Sequence, residues 1–331
     1  MNQNTSVPLI DRHTHLEGSL DPNWVRTESE RRGLLLPPGL EALWSGASVP
    51  FEGFIEAFLF GAGLLDSREA VREATLAVAR RTQRAGGSGF DLWVSPHFLV
   101  AHRKQLTLDA FWRGLEDGLA ETRTWGLQSC VVVDAVNHFG PLHGHAVLDL
   151  VLPGLPSFVR GFSTGGLEGC PFRDWAPVFD RARNADLRIA AHAGENGPGS
   201  NVREAVLEGG VARIVHGIRA DEVTLELLAE RCIPVDICPS SNRALAQDVQ
   251  PHPLPRMLRV GLRCALGTDD PGVILCDLDT EASAARHMGL DEAAMATLRR
   301  NGAEDAWCLA GSETSPQALR SSDMPDLGAS R

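Results

Sequence analysis

Residues 7–18 read V-P-L-I-D-R-H-T-H-L-E-G, a short apolar run that ends in two histidines, His13 and His15. Residues i and i+2 of a β-strand point to the same side, so a strand ending here would present both imidazoles together. Imidazole nitrogen is a common ligand of metal ions. Because an H-x-H pair often occurs by chance, the remaining motifs of the chain must decide whether this pair binds a metal.

Seven further apolar runs rich in β-forming residues follow, separated by amphipathic helical stretches. Strands that alternate with helices predict a parallel sheet, and eight such units fit the length of a (β/α)8 barrel. An open, doubly wound sheet is the alternative, but no G-x-G-x-x-G follows the first run. The predicted strands are residues 7–11, 90–94, 129–133, 158–162, 188–191, 213–215, 233–237 and 262–266, and the predicted helices are residues 68–85, 106–125, 175–185, 202–208 and 221–231.

The interval between the first two predicted strands is too long for a single crossover. Residues 51–65, FEGFIEAFLFGAGLL, predict an extra helix there. An insertion after the first strand emerges at the C-terminal face of a barrel, so we expect a lid or pocket wall; packing on the barrel's outside is the alternative. Residues 293–310 predict a closing helix. A single domain over residues 1–311 and a flexible tail over residues 312–331, rich in Ser, Pro and Asp, are expected.

Composition argues against several classes of function. The chain has 43 acidic and 31 basic residues, and its net charge of −12 argues against a nucleic-acid partner. No apolar stretch is long enough to span a membrane, and residues 1–7 lack the features of a secretory signal, so we expect a cytoplasmic protein. The seven cysteines include no C-x-x-C pair, which argues against a disulfide framework or a cysteine-rich zinc site. The oligomeric state stays open, and a homo-oligomer is one alternative.

Polar side chains follow three more predicted strands at the point where each ends. The fifth is followed by His192-Ala-Gly-Glu195, the sixth by His216, and the eighth by Gly-Thr-Asp269-Asp270. Catalytic groups of a (β/α)8 barrel lie at these strand ends. Four histidines and two aspartates in such positions are hard to explain as packing, and they predict a metal-dependent active site.

The other seven histidines lack this placement, and we assign no metal to them. Two follow the second predicted strand. Three follow the third strand and are interpreted as loop residues, with a pocket wall or a second site as alternatives. Two are interpreted as surface or helix residues. In this order they are His97 and His102; His138, His143 and His145; His252 and His287.

Five motifs in order, H-T-H-L-E-G-S, H-A-G-E, V-H-G, C-P-S-S-N and G-T-D-D-P, resemble the adenosine deaminase family of metal-dependent hydrolases. The similarity extends from about residue 9 to about residue 309. It implies hydrolytic deamination of an adenine-bearing nucleoside or related aminopurine, with water as co-substrate, a 6-oxo product and release of ammonia. The alternatives are a deaminase of free adenine or aminodeoxyfutalosine, and another mononuclear metal amidohydrolase.

The resemblance implies one zinc ion per chain, with a position left open for water. Iron, cobalt or manganese could occupy the same kind of site. Related barrels with two metals commonly bridge them through a carboxylated lysine on the fourth strand, but the only lysine here, Lys104, lies elsewhere. A mononuclear site is therefore expected. Its ligands would be His13, His15, His192 and Asp269.

The resemblance also implies the catalytic and substrate-binding roles. Glu195 would protonate a ring nitrogen, which requires a pKa raised by burial. His216 would lie beside the water as base and electrostatic anchor, and Asp269 would complete the catalytic set as a metal ligand. Asp270 would hydrogen-bond the ring N7, and the backbone N–H of Gly166 would contact N3.

Two departures from the family pattern bear on the substrate. Adenosine deaminases proper usually carry aspartate where this chain has Glu17, and the glutamate resembles an H-x-H-L-E-G subgroup that acts on other adenine-bearing molecules. Residues 162–166 read F-S-T-G-G, where family members often have F-D-L-A-G. The catalytic residues match the family while these pocket-shaping residues differ, which suggests that deamination is retained and that the substrate is not plain adenosine. A structural role for Glu17 at the start of the following turn is the alternative.

Overall fold

In the computed structural model of the protein, eight parallel strands follow one another in chain order, and each hydrogen-bonds to the next. The last strand returns to the first through a bridge between Thr14 and Asp269. Two backbone hydrogen bonds make this junction: His15 N–H donates to Asp269 O at 2.7 Å, and Asp269 N–H donates to His13 O at 2.8 Å. The predicted (β/α)8 barrel is therefore confirmed.

The structure describes residues 7–102, 106–246 and 248–310. The predicted tail over residues 312–331 and the single lysine, Lys104, lie outside the described residues. No helix of the described part is long and apolar enough to cross a membrane. All seven cysteines lie within it and none forms a disulfide, as their spacing predicts.

All eight predicted strands are present, with ends displaced by a few residues. The largest displacement is at β1, which was predicted over residues 7–11. Its polar residues His13 to His15 continue the strand because their backbone pairs with Asp269, and hydropathy alone does not reveal this pairing. The strands are β1 (Ile10–His15), β2 (Gly89–Val94), β3 (Gln128–Val136), β4 (Val159–Gly165), β5 (Arg188–Ala193), β6 (Arg213–His216), β7 (Val235–Ile237) and β8 (Cys264–Leu266).

The helices of the described residues are α1 (Pro22–Arg32), α2 (Pro38–Trp44), α3 (Phe51–Leu64), α4 (Arg68–Arg84), α5 (Leu108–Thr124), α6 (Pro141–Val151), α7 (Phe172–Arg183), α8 (Ser200–Leu207), α9 (Glu222–Glu230), α10 (Pro239–Leu245), α11 (Leu254–Arg259), α12 (Pro271–Ile274), α13 (Leu278–His287) and α14 (Glu292–Glu304). The predicted helices correspond to α3, α4, α5, α7, α8 and α9, each within three residues at either end. The extra helices expected after the first strand are α1 to α3.

The closing helix is shorter than predicted: α14 ends at Glu304, whereas the pattern extended to residue 310. The backbone N–H groups of Trp307 and Cys308 donate to the carboxylate of Asp91 on β2, at 3.1 and 2.9 Å. A longer helix would need these N–H groups for its own backbone hydrogen bonds. The end of α14 is therefore set by a tertiary contact.

Strands β1, β2, β6 and β7 contribute four fully buried charged side chains, Arg12, Asp91, Arg213 and Asp236. Arg213 donates to Asp91 Oδ2 at 2.7 Å and also to Asp236, and Arg12 lies 3.1 Å from Asp236 Oδ1. The guanidinium of Arg213 also lies 4.8 Å from the centroid of the Trp307 ring. Two cations and two anions balance one another, so removing a single member leaves an uncompensated charge in the interior.

We expect Arg213→Met to lower the free energy of unfolding by about 3–5 kcal/mol, because it leaves two buried carboxylates with one cation. Urea denaturation followed by circular dichroism measures this loss. Arg68→Met is the matched control: Arg68 pairs with Asp117 at the surface, with 51% of its side chain exposed, and such a pair contributes about 1 kcal/mol or less. A loss for Arg213→Met no larger than that of the control would contradict the structural role of the network.

Candidate active site

The side chains predicted as metal ligands converge at the C-terminal end of the barrel. His13 and His15 end β1, His192 lies on β5, and Asp269 follows β8. Nε2 of His192 lies 3.2 Å from Nε2 of both His13 and His15. Asp269 Oδ1 lies 3.2 Å from Nε2 of His13 and 3.4 Å from Nε2 of His15. All four side chains are buried, so donor atoms from three separate segments meet at one place away from bulk solvent.

The hydrogen bonding of His192 explains why a cation fits between these atoms. Its Nδ1 lies 2.8 Å from the carbonyl oxygen of Thr164, which can only accept, so Nδ1 carries the proton and Nε2 has a free lone pair. Burial lowers the pKa of His13 and His15 to about 3, so both are neutral, the form of imidazole that binds metals. Two nitrogens held by one tetrahedral zinc ion would lie about 3.3–3.4 Å apart, close to the observed spacing.

His216, at the end of β6, is a fifth member of this cluster. One ligating atom each from His13, His192, His216 and Asp269 form a group within 4.8 Å of one another. His216 Nε2 lies 3.8 Å from Asp269 Oδ2 and 3.6 Å from Glu195 Oε1. The ring therefore stands between the metal-type cluster and the predicted acid.

A chain of hydrogen bonds behind His216 indicates which ring nitrogen carries its proton. Leu254 N–H donates to Nδ1 of His252 at 3.2 Å, so the proton of that ring is on Nε2. This Nε2 donates to Asn242 Oδ1 at 3.2 Å, and Asn242 Nδ2 donates to His216 Nδ1 at 3.0 Å. Nε2–H of His216 therefore points toward Glu195. The interpretation of His252 as a surface or helix residue is wrong: it is half-buried, precedes α11, and supports the site.

His216 and Asp269 both have a left-handed backbone, with φ of 67° and 62°. Non-glycine residues adopt this conformation at a cost of about 1–3 kcal/mol, and surrounding contacts must enforce it. Next to Asp269, the carboxylate of Asp11 accepts from Thr268 N–H at 3.0 Å and from the Thr268 hydroxyl at 2.6 Å. These bonds hold the turn that aims Asp269 at the histidines.

Glu195 follows β5 and lines the same cavity, with 9% of its surface exposed. Burial raises its pKa to about 7, although the neighbouring His216 acts in the opposite direction. A proton donor at this position requires a raised pKa, and the direction agrees with that prediction.

The three residues predicted to bind substrate differ in their placement. Asp270 is buried in the cavity lining and its Oδ1 has no hydrogen-bond partner among the described residues. A Cβ on Gly18 would lie only 1.8 Å from this oxygen, so glycine is required there. Gly166 also lines the cavity, with φ of 77°. Glu17 lies behind the lining: its Oε1 accepts from the backbone N–H of Ser95 at 2.7 Å.

Asp134, at the end of β3, is a lining residue that the sequence analysis missed. It is 6% exposed, its Oδ1 has no hydrogen-bond partner in the part of the chain that the structure describes, and burial raises its pKa well above the ordinary range. A signal was present: Asp134 directly follows a predicted apolar strand, as the other site residues do.

The cavity above the cluster has a volume of about 350 Å³ and an apolar wall. Helix α3 supplies most of this wall, and Trp44 of α2 donates its indole N–H to Gly272 O at 2.9 Å, which ties the insertion to the segment after Asp270. The expectation that residues 51–65 form a pocket wall is confirmed, and packing on the barrel's outside is not observed. The apolar lining consists of Phe51, Phe54, Ile55, Phe58, Leu59, Phe98, Val136, Phe139 and Leu245.

The three histidines after β3 differ in their placement, and here the loop interpretation is partly wrong. His143 and His145 lie on α6, which starts at Pro141, a residue suited to the first turn of a helix. His138 lies in a short 3-10 turn and lines the cavity, as the pocket-wall alternative proposed. The rings of His97 and His143 pack with their centroids 4.8 Å apart. These histidines form no second metal-type group among the described residues.

Comparison with known proteins agrees with this geometry. The chain is 30% identical over 310 residues to an adenine deaminase from Cupriavidus pinatubonensis, across 91% of this chain and 88% of the relative. Its structure resembles that of an adenine deaminase from Arthrobacter aurescens, with a TM-score of 0.82, 25% identity, and coverage of 91% of this chain and 94% of the other.

An amidohydrolase from Burkholderia ambifaria with bound zinc shares the fold, with a TM-score of 0.82, 20% identity, and coverage of 96% and 89% of the two chains. The family model described as adenosine deaminase matches residues 8–319. Nearly the whole length of the protein is therefore accounted for by one family, and the chain belongs to the adenosine deaminase family of hydrolytic deaminases.

Proposed function

We propose that this enzyme removes the exocyclic amino group of free adenine by hydrolysis of its C–N bond. It would use one zinc ion per chain, and the site would belong to a single domain over residues 1–311. The observation that supports this most is the convergence of three neutral imidazoles and the Asp269 carboxylate in one cavity with Glu195. The zinc bound in the Burkholderia ambifaria amidohydrolase supports zinc as the metal.

His13, His15, His192 and Asp269 would hold the ion. When bound, zinc would lower the pKa of water and so supply a nucleophile near neutral pH. Glu195 would hold a proton in the buried cavity and pass it to the ring nitrogen next to the carbon under attack. The carbon would gain the oxygen of water, and its bond to the amino group would break. One proton of the water would leave with this group as ammonia, and the other would restore the carboxyl of Glu195.

The remaining polar groups would orient the reactants. Because Nε2 of His216 carries a proton, this residue can donate a hydrogen bond to the incoming oxygen, which favours the role of electrostatic anchor over that of base. The carboxyl of Asp270, whose Oδ1 has no hydrogen-bond partner among the described residues, would bind the ring N7. The backbone N–H of Gly166 would contact N3.

Two observations favour the free base over a nucleoside. Relatives such as that of Cupriavidus pinatubonensis are adenine deaminases. The wall built by α3 is apolar, so ribose hydroxyls packed against it would lose their hydrogen bonds to water, at about 1–3 kcal/mol for each group left unpaired. Glu17 is not part of the cavity lining: its Oε1 accepts from Ser95, and its Oε2 has no hydrogen-bond partner among the described residues.

A larger adenine-bearing molecule with an apolar substituent, such as a modified nucleoside or aminodeoxyfutalosine, is the second candidate. The cavity volume of about 350 Å³ favours it. Pockets of about 300–1,000 Å³ hold drug-sized ligands, and a bare purine is smaller than these.

We expect zinc-replete enzyme to release ammonia from adenine with a kcat/KM at least about tenfold above that for adenosine, 2′-deoxyadenosine or aminodeoxyfutalosine. The reason is that the sugar hydroxyls of these three compounds would be left unpaired against the apolar wall. An enzyme-coupled ammonia assay measures this, with hypoxanthine, which has no amino group, as the blank. A nucleoside or aminodeoxyfutalosine used as efficiently as adenine would contradict the choice of substrate. Silence across all four compounds would contradict deamination of adenine compounds.

Glu195→Gln should keep about one zinc per chain and lower kcat by about 10²–10⁴-fold, since the amide cannot donate the carboxyl proton. Metal analysis and the ammonia assay on the same preparation measure both quantities. The control is Glu226→Gln on the exposed face of α9, which should match the wild type. A Glu195→Gln variant with normal turnover would remove the residue from the role of acid.

Asp269→Ala should lose both zinc and activity. Loss of a hydrogen bond that supports a ligand can lower metal affinity by a factor of about 100, and loss of the ligand itself should lower zinc affinity by more than this. Its neighbour provides the comparison: Asp270→Asn should keep zinc and lower kcat/KM. Competition with a zinc chelator measures affinity in both variants. Equal zinc affinity in the two would show that Asp269 is not a ligand.

A further inference from the structure

The carboxylate of Glu168, in the segment after β4, is surrounded by N–H donors from the segment after β5. Its Oε1 accepts three backbone N–H groups at 2.8, 3.2 and 3.1 Å, and its Oε2 accepts one backbone N–H and one side-chain amide, both at 2.8 Å. Four consecutive backbone N–H groups thus point at one anion, the arrangement known as a nest. In chain order the donors are Gly194, Glu195, Asn196, Gly197 and the side chain of Asn201.

Glu195 itself is therefore held through its main chain on both sides. Its N–H donates to Glu168, and its carbonyl oxygen accepts from Arg219 Nε at 2.7 Å. Arg219 N–H donates in addition to Gly194 O at 3.0 Å, and its guanidinium is paired with Asp248 at 2.6 Å. The two peptide groups that flank the Cα of Glu195 have little freedom to rotate.

The side chain of Asn196 extends this contact to the Glu195 carboxyl. Asn196 Oδ1 accepts from the backbone N–H of Glu168 at 3.0 Å. Its Nδ2 donates to Gly166 O at 3.2 Å and lies 3.4 Å from Glu195 Oε2. The segments after β4 and β5 are thereby joined in both directions, and one of the bonds ends on the proposed proton donor.

The loop is shaped around this carboxylate. Gly194 has a φ of 69°, and a Cβ on Gly197 would lie 2.6 Å from Glu168 Oε2. Without an anion at this point, four N–H groups that converge on one spot would face one another with no acceptor. The loop would then have to open to reach water, and Glu195 would move with it.

We propose that Glu168 is a positioning residue whose carboxylate sets the location of the Glu195 carboxyl over the reacting ring. The proposal rests on the proposed function, because it assigns Glu168 an effect on turnover only through Glu195. Glu168 does not belong to the cavity lining, so its influence would not pass through contact with substrate.

The test compares Glu168→Gln, Glu195→Gln and the double variant, each loaded with zinc and assayed with adenine. Glutamine keeps the shape of glutamate but turns an N–H donor toward Gly194 and Asn201. We expect kcat to fall by about 10–100-fold, the effect of a displacement on the order of 1 Å, with zinc content unchanged and KM within about threefold. In the Glu195→Gln background, Glu168→Gln should change the residual kcat by less than about twofold, since it acts through the same group.

Two further measurements separate positioning from general stability. Amide hydrogen exchange of residues 194–197 should be faster in Glu168→Gln than in the wild type, while exchange in the β1 peptide is unchanged. The control is Glu204→Gln on α8, whose carboxylate pairs with Arg173 at 3.0 Å at the surface and which should retain wild-type kcat and exchange. If Glu168→Gln does not fold, Glu168→Asp is the second variant. It keeps the negative charge but places the carboxylate farther from the N–H donors, so kcat should also fall, by a smaller factor.

Wild-type kcat in Glu168→Gln or Glu168→Asp would overturn the proposal, as would loss of zinc, or losses that multiply in the double variant. If the wild-type enzyme released no ammonia from any of the four adenine compounds, the proposed function would fail, and this inference with it. Active wild-type enzyme together with an equally active Glu168→Gln would overturn the inference alone.

Discussion

The backbone junction between β1 and β8 is the constraint on which the rest of the structure depends. The hydrogen bonds that close the barrel are made by His13, His15 and Asp269, whose side chains also meet as the metal-type cluster. Fold and site are therefore one arrangement: the geometry of closure fixes the directions of three donor side chains. His192 joins them from across the barrel, held by the carbonyl of Thr164 on the neighbouring strand. The four donor side chains are thus carried by strands or by a segment bonded to β1, which places them together before a metal binds.

The second feature of the site is its excess of buried carboxyl groups. Glu17, Asp134, Glu195 and Asp270 lie close around the cluster, and burial raises the pKa of each. So many acids in a dry pocket repel one another when ionised, and a bound cation would reduce that repulsion. The buried network of Arg12, Asp91, Arg213 and Asp236 differs, because it carries its own balancing cations. The charges of Asp91 and Asp236 are balanced by arginines of the protein itself, whereas the carboxyl groups around the site are suited to a bound cation.

Much of the fold and the centre of the site could be predicted from the sequence, because strand ends in a barrel are marked by a polar residue directly after an apolar run. Asp134 also directly follows a predicted apolar strand, but it was not among the predicted site residues. What could not be predicted depends on contacts between distant segments. The support of His216 by Asn242 and His252 runs through side-chain hydrogen bonds, and the end of α14 is set by Asp91 on β2. The extension of β1 likewise depends on Asp269, more than 250 positions away along the chain.

The strands and helix α3 supply different parts of the site, and this separation affects how the substrate range of such an enzyme can change. The groups that would carry out the reaction lie on or directly after barrel strands, whereas most of the apolar wall comes from one inserted helix. Substitutions in that helix can alter the shape of the chamber while the donor atoms on the strands stay in register. The range of accepted substrates can therefore change through the five residues of this helix that line the cavity, while the residues that would carry out the reaction stay as they are.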